Sequence, residues 1–433
     1  MQQALAIDGG PVTVPEGMIK PWPWLTDEDR NAVIQAFEES TPWQYPFPQA
    51  AALEKDWAEH VGVNFCLATN SGTAALHMAV AAAGVGPGDE VIVPAFTFLA
   101  SASCVLHSNG IPIFVDIDPE TYNIDPKQIE ASITDRTKAI VAVDLHGLPA
   151  DYDEINQIAR KHNLVVIEDG AQAHGAFYKG RQVGALGDMC GCSMGGSKNL
   201  PALGEGGLFT TDNEKYHELA ERVRMFGEMV TPGEPRQYNA YMMGWNYRID
   251  NVQSAVARSQ LKRLNDMSAC RQRNCNYLTQ HLKEMPGIIT PYVPEDRTHT
   301  YFLYVIRVKP EQLGLDIPAA NFREAIRETL EAEGVPVFRW QQVPVPGQTL
   351  FQFRDGYGKG CPWSCSHTRP GIEYHSEDYP ETLKLLEEFL CIGHAMGGLG
   401  PPNDLELMEN YVRAFRKVLI DNRDKLIARA DHS

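Results

Sequence analysis

The sequence predicts an α/β fold, with a large domain built on a mainly parallel, doubly wound sheet and a smaller C-terminal α+β domain. Up to residue 212, short apolar runs alternate with helical patterns, as in sheets whose strands are joined by helical crossovers. These runs are hydrophobic throughout, which is typical of parallel strands covered on both faces. After residue 250 the alternation stops and long helical patterns dominate, which indicates a second domain.

The predicted elements follow one another along the chain. An extended arm is expected over residues 1–24 and a capped helix over 25–40. Strands are expected at 90–96, 111–118, 138–145, 164–169, 191–195 and 206–212, with helices at 73–84 and 151–163 among the connections. Then come one or two helices at 251–285, a strand at 299–309, a helix at 318–334, a Gly- and Pro-rich loop at 341–371 and a helix at 405–430. The expected domains are therefore the arm (1–24), the large domain (25–265) and the small domain (266–433).

Composition narrows the functional classes. The chain has 433 residues and a net charge of −18, and it has no Lys/Arg-rich run, which argues against nucleic-acid binding. No apolar stretch is long enough for a membrane span. Nine cysteines without a regular framework, and an N-terminus without a signal-like apolar core, indicate a cytoplasmic protein.

A group of possible metal ligands lies late in the chain, at Cys361, Cys365, His367 and His375. It lacks the tight paired spacing of zinc motifs. We therefore expect no metal site.

Several candidate functional residues lie where ligands bind in open α/β sheets, beyond the carboxyl ends of the strands. Gly72 and Thr73 follow Ser71 at a predicted helix start, which forms either a phosphate cradle or an ordinary N-cap. Phe98 could stack on a planar ring or pack in the core. Asp169 ends a buried strand, where a carboxylate needs a cationic partner. Lys198 lies in the glycine-rich stretch GCSMGGSKNLPALGEGG (191–207), which by itself could be a surface loop.

Together these residues are the parts that a pyridoxal phosphate (PLP) enzyme needs. Such an enzyme requires a lysine for a Schiff base, a carboxylate for the pyridinium nitrogen, a phosphate cup and a stacking residue. A nicotinamide enzyme would instead show GxGxxG after its first strand, and the sequence has none.

The motifs ATNSGTAALHMAV, IEDGAQAHGAFYKGRQVGALGD, SMGGSKNLPALGEGG and NYRIDNVQSAV resemble the DegT/DnrJ/StrS family of fold-type I PLP aminotransferases. The resemblance implies that Lys198 is the Schiff-base lysine and proton shuttle, and that Asp169 pairs with the ring nitrogen. It further implies that Gln172 contacts the ring hydroxyl and Phe98 stacks on the ring. The implied phosphate ligands are Gly72, Thr73, Ser193 and, from the other subunit of a homodimer with shared active sites, Asn246.

The family acts on keto-sugars and keto-cyclitols. The resemblance therefore implies amino transfer from L-glutamine or L-glutamate to such a ketone, as in secondary-metabolite and antibiotic biosynthesis. The opening LAIDGGPVTVP…PWPWLTDEDR is similar to the cyclitol branch. Two alternatives remain open at this point: a different outcome on the same scaffold (cyclisation, dehydration or racemisation), or a non-catalytic regulatory homologue. Retention of Lys198 argues against the family's deoxygenating route, whose members carry histidine there.

The sequence departs from the family pattern at Gly195 and Gly196, where relatives often carry bulkier side chains. Drift with compensation and an unusual or larger substrate both explain this change. The segments 341–375 and 391–404 also differ, and we expect them to reshape the substrate entrance.

Overall fold

The computed structural model describes residues 3–39, 47–230, 235–393 and 397–431. The strands are β1 (Phe65–Thr69), β2 (Glu90–Pro94), β3 (Ile111–Val115), β4 (Thr137–Val143), β5 (Val165–Asp169), β6 (Phe177–Tyr178), β7 (Arg181–Gln182), β8 (Met189–Ser193), β9 (Gly207–Thr211), β10 (Ile288–Ile289), β11 (Leu303–Val308), β12 (Val337–Phe338) and β13 (Phe389–Gly393). The α-helices are α1 (Asp27–Glu39), α2 (Pro48–Val61), α3 (Gly72–Ala82), α4 (Ala100–His107), α5 (Pro126–Ile129), α6 (Tyr152–His162), α7 (Glu214–Arg224), α8 (Asn251–Leu261), α9 (Leu264–Leu282), α10 (Ala319–Ala332), α11 (Thr349–Phe353), α12 (Pro380–Glu388), α13 (Leu405–Arg416) and α14 (Arg423–Asp431).

The large sheet has seven strands in the order β1-β9-β8-β5-β4-β2-β3. All neighbouring pairs from β8 to β3 are parallel, whereas β9 runs antiparallel to both β1 and β8. The prediction of a mainly parallel sheet is therefore confirmed. The sequence analysis missed β1, a short edge strand preceding the motif NSGTAAL.

Alternate residues of the central strands enter two different apolar cores. Val91 and Val93 of β2 pack in the core that contains α3 and α4, whereas Ile92 packs with α6 on the other face. In β4, Val141 and Ile140 divide in the same way. A strand with both faces buried has no polar face, which explains the unbroken hydrophobic runs in the sequence.

The second, four-stranded sheet has the order β10-β11-β13-β12, with antiparallel neighbours throughout. It shares an apolar core with α9, α10 and α13, and Leu5 and Val14 of the N-terminal arm pack into this core. Glu333 fixes the arm by accepting hydrogen bonds from the backbone N–H groups of Ala6 (2.8 Å) and Thr13 (3.2 Å). The expected boundary at residues 265/266 falls at the start of α9.

The loop that follows residue 341 covers the β3 edge of the large sheet. Phe351 and Tyr374 pack edge-on against Phe114 of β3, at ring-centroid distances of 5.0 and 5.5 Å. Arg369 pairs with the buried carboxylate of Glu90 at 2.8 Å. Most of this loop therefore seals a sheet edge, and residues 394–396 of the other divergent segment lie outside the described residues.

Two negative findings concern only the described part of the chain. No helix there is both long enough and apolar enough to cross a membrane. No three His, Cys, Asp or Glu side chains there come close enough to hold a metal ion.

Candidate active site

A cavity of about 350 Å³ lies at the carboxyl ends of the parallel strands. Seven of the eight residues singled out from the sequence line it: Gly72, Thr73, Phe98, Asp169, Gln172, Ser193 and Lys198. They come from four strand ends and the loops that follow, so the doubly wound topology brings them together. Phe302 and Trp340 of the second domain complete the wall.

One end of the cavity is the N-terminus of α3. Ser71 caps this helix by accepting a hydrogen bond from the N–H of Ala74 at 3.1 Å. Among the described residues, the N–H groups of Gly72 and Thr73 have no protein acceptor. A Cβ on Gly72 would lie 2.6 Å from the Cβ of Ser193, so only glycine allows the helix start and β8 to approach so closely. Free N–H groups, a helix dipole and a hydroxyl form a site suited to a phosphate.

Asp169, at the end of β5, supplies a buried carboxylate. Its Oδ2 accepts a hydrogen bond from Ser101 Oγ at 2.6 Å, and its Oδ1 accepts from the N–H of Ala171 at 3.2 Å. Burial raises its pKa, while these bonds and the nearby Lys198 counteract the rise. Since ionisation here is opposed by desolvation, a ligand cation that reaches the carboxylate would gain strongly from pairing with it.

Lys198 lies partly buried in the loop between β8 and β9, where its N–H donates to the carbonyl of Gly195 at 2.8 Å. Its Nζ is 4.4 Å from the centre of the Phe302 ring. Burial lowers the pKa of Lys198 to about 8, although Asp169 and Glu205 favour the charged form. Near neutral pH, the fraction of Lys198 that is a neutral, nucleophilic amine is therefore much larger than for an ordinary lysine.

Two further side chains, those of Phe98 and Gln172, line the cavity between the start of α3, Asp169 and Lys198. Phe98 is 56% exposed, so one face of its ring is available to a planar ligand. The Oε1 of the buried Gln172 accepts from the N–H of His146 at 2.8 Å. This bond leaves the NH₂ group of Gln172 as a donor to a ligand.

Asn246 does not line the cavity of its own chain. It is exposed, and its Oδ1 accepts from Arg248 Nε at 2.9 Å. Its segment is bridged to Met225 and carries Tyr238 and Met243, each 77% exposed.

Sequence reasoning missed four residues of this site: Ser101, Glu205, Phe302 and Trp340. The only sign of Ser101 in the sequence is its spacing of four residues from Thr97. In the structure the hydroxyl oxygens of these two residues are 2.8 Å apart. Phe302 and Trp340 reach the cavity through domain packing, which no local pattern reveals.

Comparisons with known proteins agree with this geometry. Residues 25–373 match the model of the DegT/DnrJ/EryC1/StrS aminotransferase family. The GDP-perosamine synthase of Caulobacter vibrioides is 38% identical over 75% of this chain and 85% of its own length. The L-glutamine:2-deoxy-scyllo-inosose aminotransferase of Streptomyces lividus is 34% identical over 98% of this chain and 99% of its own. The X-ray structure of the aminotransferase from Psychrobacter cryohalolentis has a TM-score of 0.78 and 30% identity, covering 92% of this chain and 98% of that one.

A family match over more than half of the chain, a relative that aligns along its full length and the common fold lead to one conclusion. This chain belongs to the DegT/DnrJ/EryC1/StrS aminotransferase family and is an aminotransferase of fold type I.

Proposed function

We propose that the cavity binds pyridoxal 5′-phosphate and that the protein transfers an amino group from L-glutamine or L-glutamate to a keto-cyclitol. The observation that carries this proposal is the convergence of Lys198, Asp169 and the start of α3 in one cavity. PLP supplies an electron sink for the carbanion that forms when a proton leaves the substrate carbon.

Each part of the cavity has a separate task in this proposal. Gly72, Thr73 and Ser193 hold the phosphate, and Phe98 stacks on the ring. Gln172 donates a hydrogen bond to the ring hydroxyl. Asp169 holds the ring nitrogen in its protonated form.

Lys198 has two tasks. Its Nζ attaches the cofactor and then, once released, moves the proton at the reacting carbon. Its lowered pKa suits both steps, because a proton shuttle works best when its pKa is near the working pH.

The acceptor class rests on a relative that aligns with nearly the whole chain and is named for 2-deoxy-scyllo-inosose, a keto-cyclitol. A direct assay combines the PLP-loaded protein, amide-¹⁵N glutamine or α-¹⁵N glutamine or glutamate, and 2-deoxy-scyllo-inosose. We expect the α-¹⁵N label alone to appear in an aminocyclitol by mass spectrometry. A parallel reaction contains a nucleotide-linked keto-sugar instead. Label in that product alone would contradict the proposed acceptor, and consumption of neither donor would contradict the proposed amino transfer.

We further propose a homodimer in which Asn246 of each subunit completes the phosphate site of the other. The exposed Tyr238 and Met243 on the same segment support this arrangement, because a second subunit would cover them. Mixing Lys198→Ala and Asn246→Ala proteins, each of low activity, should restore activity in heterodimers that hold one intact site. No recovery after verified subunit exchange would count against shared sites.

A further inference from the structure

We infer that Gly195, Gly196 and the carboxylate of Glu205 form a subsite beside Lys198 that binds a hydroxyl or ammonium substituent of the amino acceptor. This inference rests on the proposed function. It adds the chemical groups that the acceptor must present.

The two glycines create the space. A Cβ built on Gly196 would meet only the carbonyl oxygen of Gly204, at 3.9 Å, so the region beside it is open. A Cβ on Gly195 would lie 3.3 Å from Oε2 of Glu205, so a longer side chain there would press on the carboxylate. Bulkier side chains at these two positions would fill the region. In this chain the region beside Gly196 is open, so a ligand can occupy it.

The backbone that follows Glu205 is firmly held. The carbonyl of Gly206 accepts a hydrogen bond from the N–H of Met194 at 2.7 Å. A Cβ on Gly207 would lie only 2.3 Å from the carbonyl oxygen of Ser71, so the start of β9 packs directly on the helix cap. The Glu205 side chain therefore projects into the cavity from a backbone that is anchored on its C-terminal side.

Glu205 is the one charged residue of the described cavity wall to which the proposed function assigns no role. The charged residues lining the cavity, within the described part of the chain, are Asp169, Lys198 and Glu205. Asp169 and Lys198 serve the cofactor, while Glu205 is exposed and has no hydrogen-bond or ion-pair partner among the described residues.

An ionised carboxylate only accepts hydrogen bonds. At the position that it faces, it therefore favours hydroxyl and ammonium groups over anionic ones. A polyhydroxylated ring fits this chemistry, and the cavity wall also includes the aromatic side chain of Trp340. The structure thus favours an acceptor ring with hydroxyl or ammonium groups on the side of Gly196.

Calorimetric titration of the protein loaded with pyridoxamine 5′-phosphate tests the subsite without turnover, because this form of the cofactor does not react with an amine probe. The probes are myo-inositol, which offers hydroxyls, and 2-deoxystreptamine, which also offers ammonium groups. Glu205→Gln should weaken binding about tenfold or more, as expected for the loss of a hydrogen bond to a charged group. Glu16→Gln, which removes an exposed carboxylate in the N-terminal arm, is the charge control. Weakening for one probe only would assign the substituent to that class.

A second variant tests the space itself. Gly196→Gln should fill the subsite and weaken binding of both probes, with a melting temperature near that of the parent because its Cβ has room. Gly86→Gln is the matched control, since a Cβ there also meets nothing within 4 Å.

The inference is overturned if both probes bind Glu205→Gln and Gly196→Gln as they bind the parent. It is also overturned if Glu205→Gln dissociates the dimer and leaves probe affinity unchanged, because the carboxylate would then serve the subunit interface. Failure of glutamine and glutamate to convert the bound cofactor would instead refute the proposed function and leave these binding results valid.

Discussion

The lowered pKa of Lys198 predicts how fast the cofactor-free protein takes up PLP as the pH changes. With a pKa of about 8, roughly one quarter of Lys198 is neutral at pH 7.5, against about one part in a thousand for an ordinary lysine. The buried site should therefore hold roughly two-hundredfold more reactive amine than a free lysine at that pH. Since burial lowers the pKa, the neutral form accumulates as the pH rises through about 8 and is complete well below pH 10.5.

Stopped-flow absorbance of PLP mixed with the cofactor-free protein measures this directly. N-acetyl-lysine methylamide in the same buffers is the reference, because the titration of PLP itself affects both reactions equally. We expect the protein's rate to rise up to about pH 8 and then level off, while the reference continues to rise. A protein rate that still climbs tenfold per pH unit above pH 9 would refute the argument.

Three substitutions give further tests. Gly72→Ala should lower PLP affinity at least tenfold, because the new Cβ would lie 2.6 Å from that of Ser193, whereas Gly86→Ala should leave binding unchanged; equilibrium dialysis compares them. Asp169→Asn should raise the melting temperature of the cofactor-free protein above about pH 4, where burial opposes ionisation of the carboxyl group, yet weaken PLP binding; an unchanged or lower melting temperature would contradict this. Ser101→Ala removes a 2.6 Å bond to that carboxylate and should cost about 1.5–3 kcal/mol, seen as a tenfold or greater fall in PLP affinity or kcat; equal values for parent and variant would argue against a positioning role.

The large sheet was readily predicted because its central strands are buried on both faces and therefore carry uninterrupted apolar runs. The edge strand β1 (Phe65–Thr69) was missed, although it has the same length and burial pattern as β5. The segment 251–285, for which one or two helices were expected, forms two, α8 and α9, which are separated at residues 262–263.

The residues of the candidate site also differ in how well the sequence alone reveals them. Asp169, at the end of β5, and Lys198, in the loop after β8, could be singled out because their chemistry is unusual at those positions. Phe302 and Trp340 depend on how the second domain packs onto the first, and their own neighbourhoods read as ordinary core. The family resemblance identified the chemistry, but only the structure placed Glu205 beside the open space at Gly196.

The central claim is that Lys198 carries the cofactor, and borohydride trapping tests it most directly. Reduction of the PLP-loaded protein, followed by proteolysis and mass spectrometry, fixes the cofactor on the lysine that held it. The account predicts the label on the peptide containing Lys198 and a protein without specific label when Lys198 is changed to alanine. A label on any other lysine, or equal labelling of the Lys198→Ala protein, would contradict it.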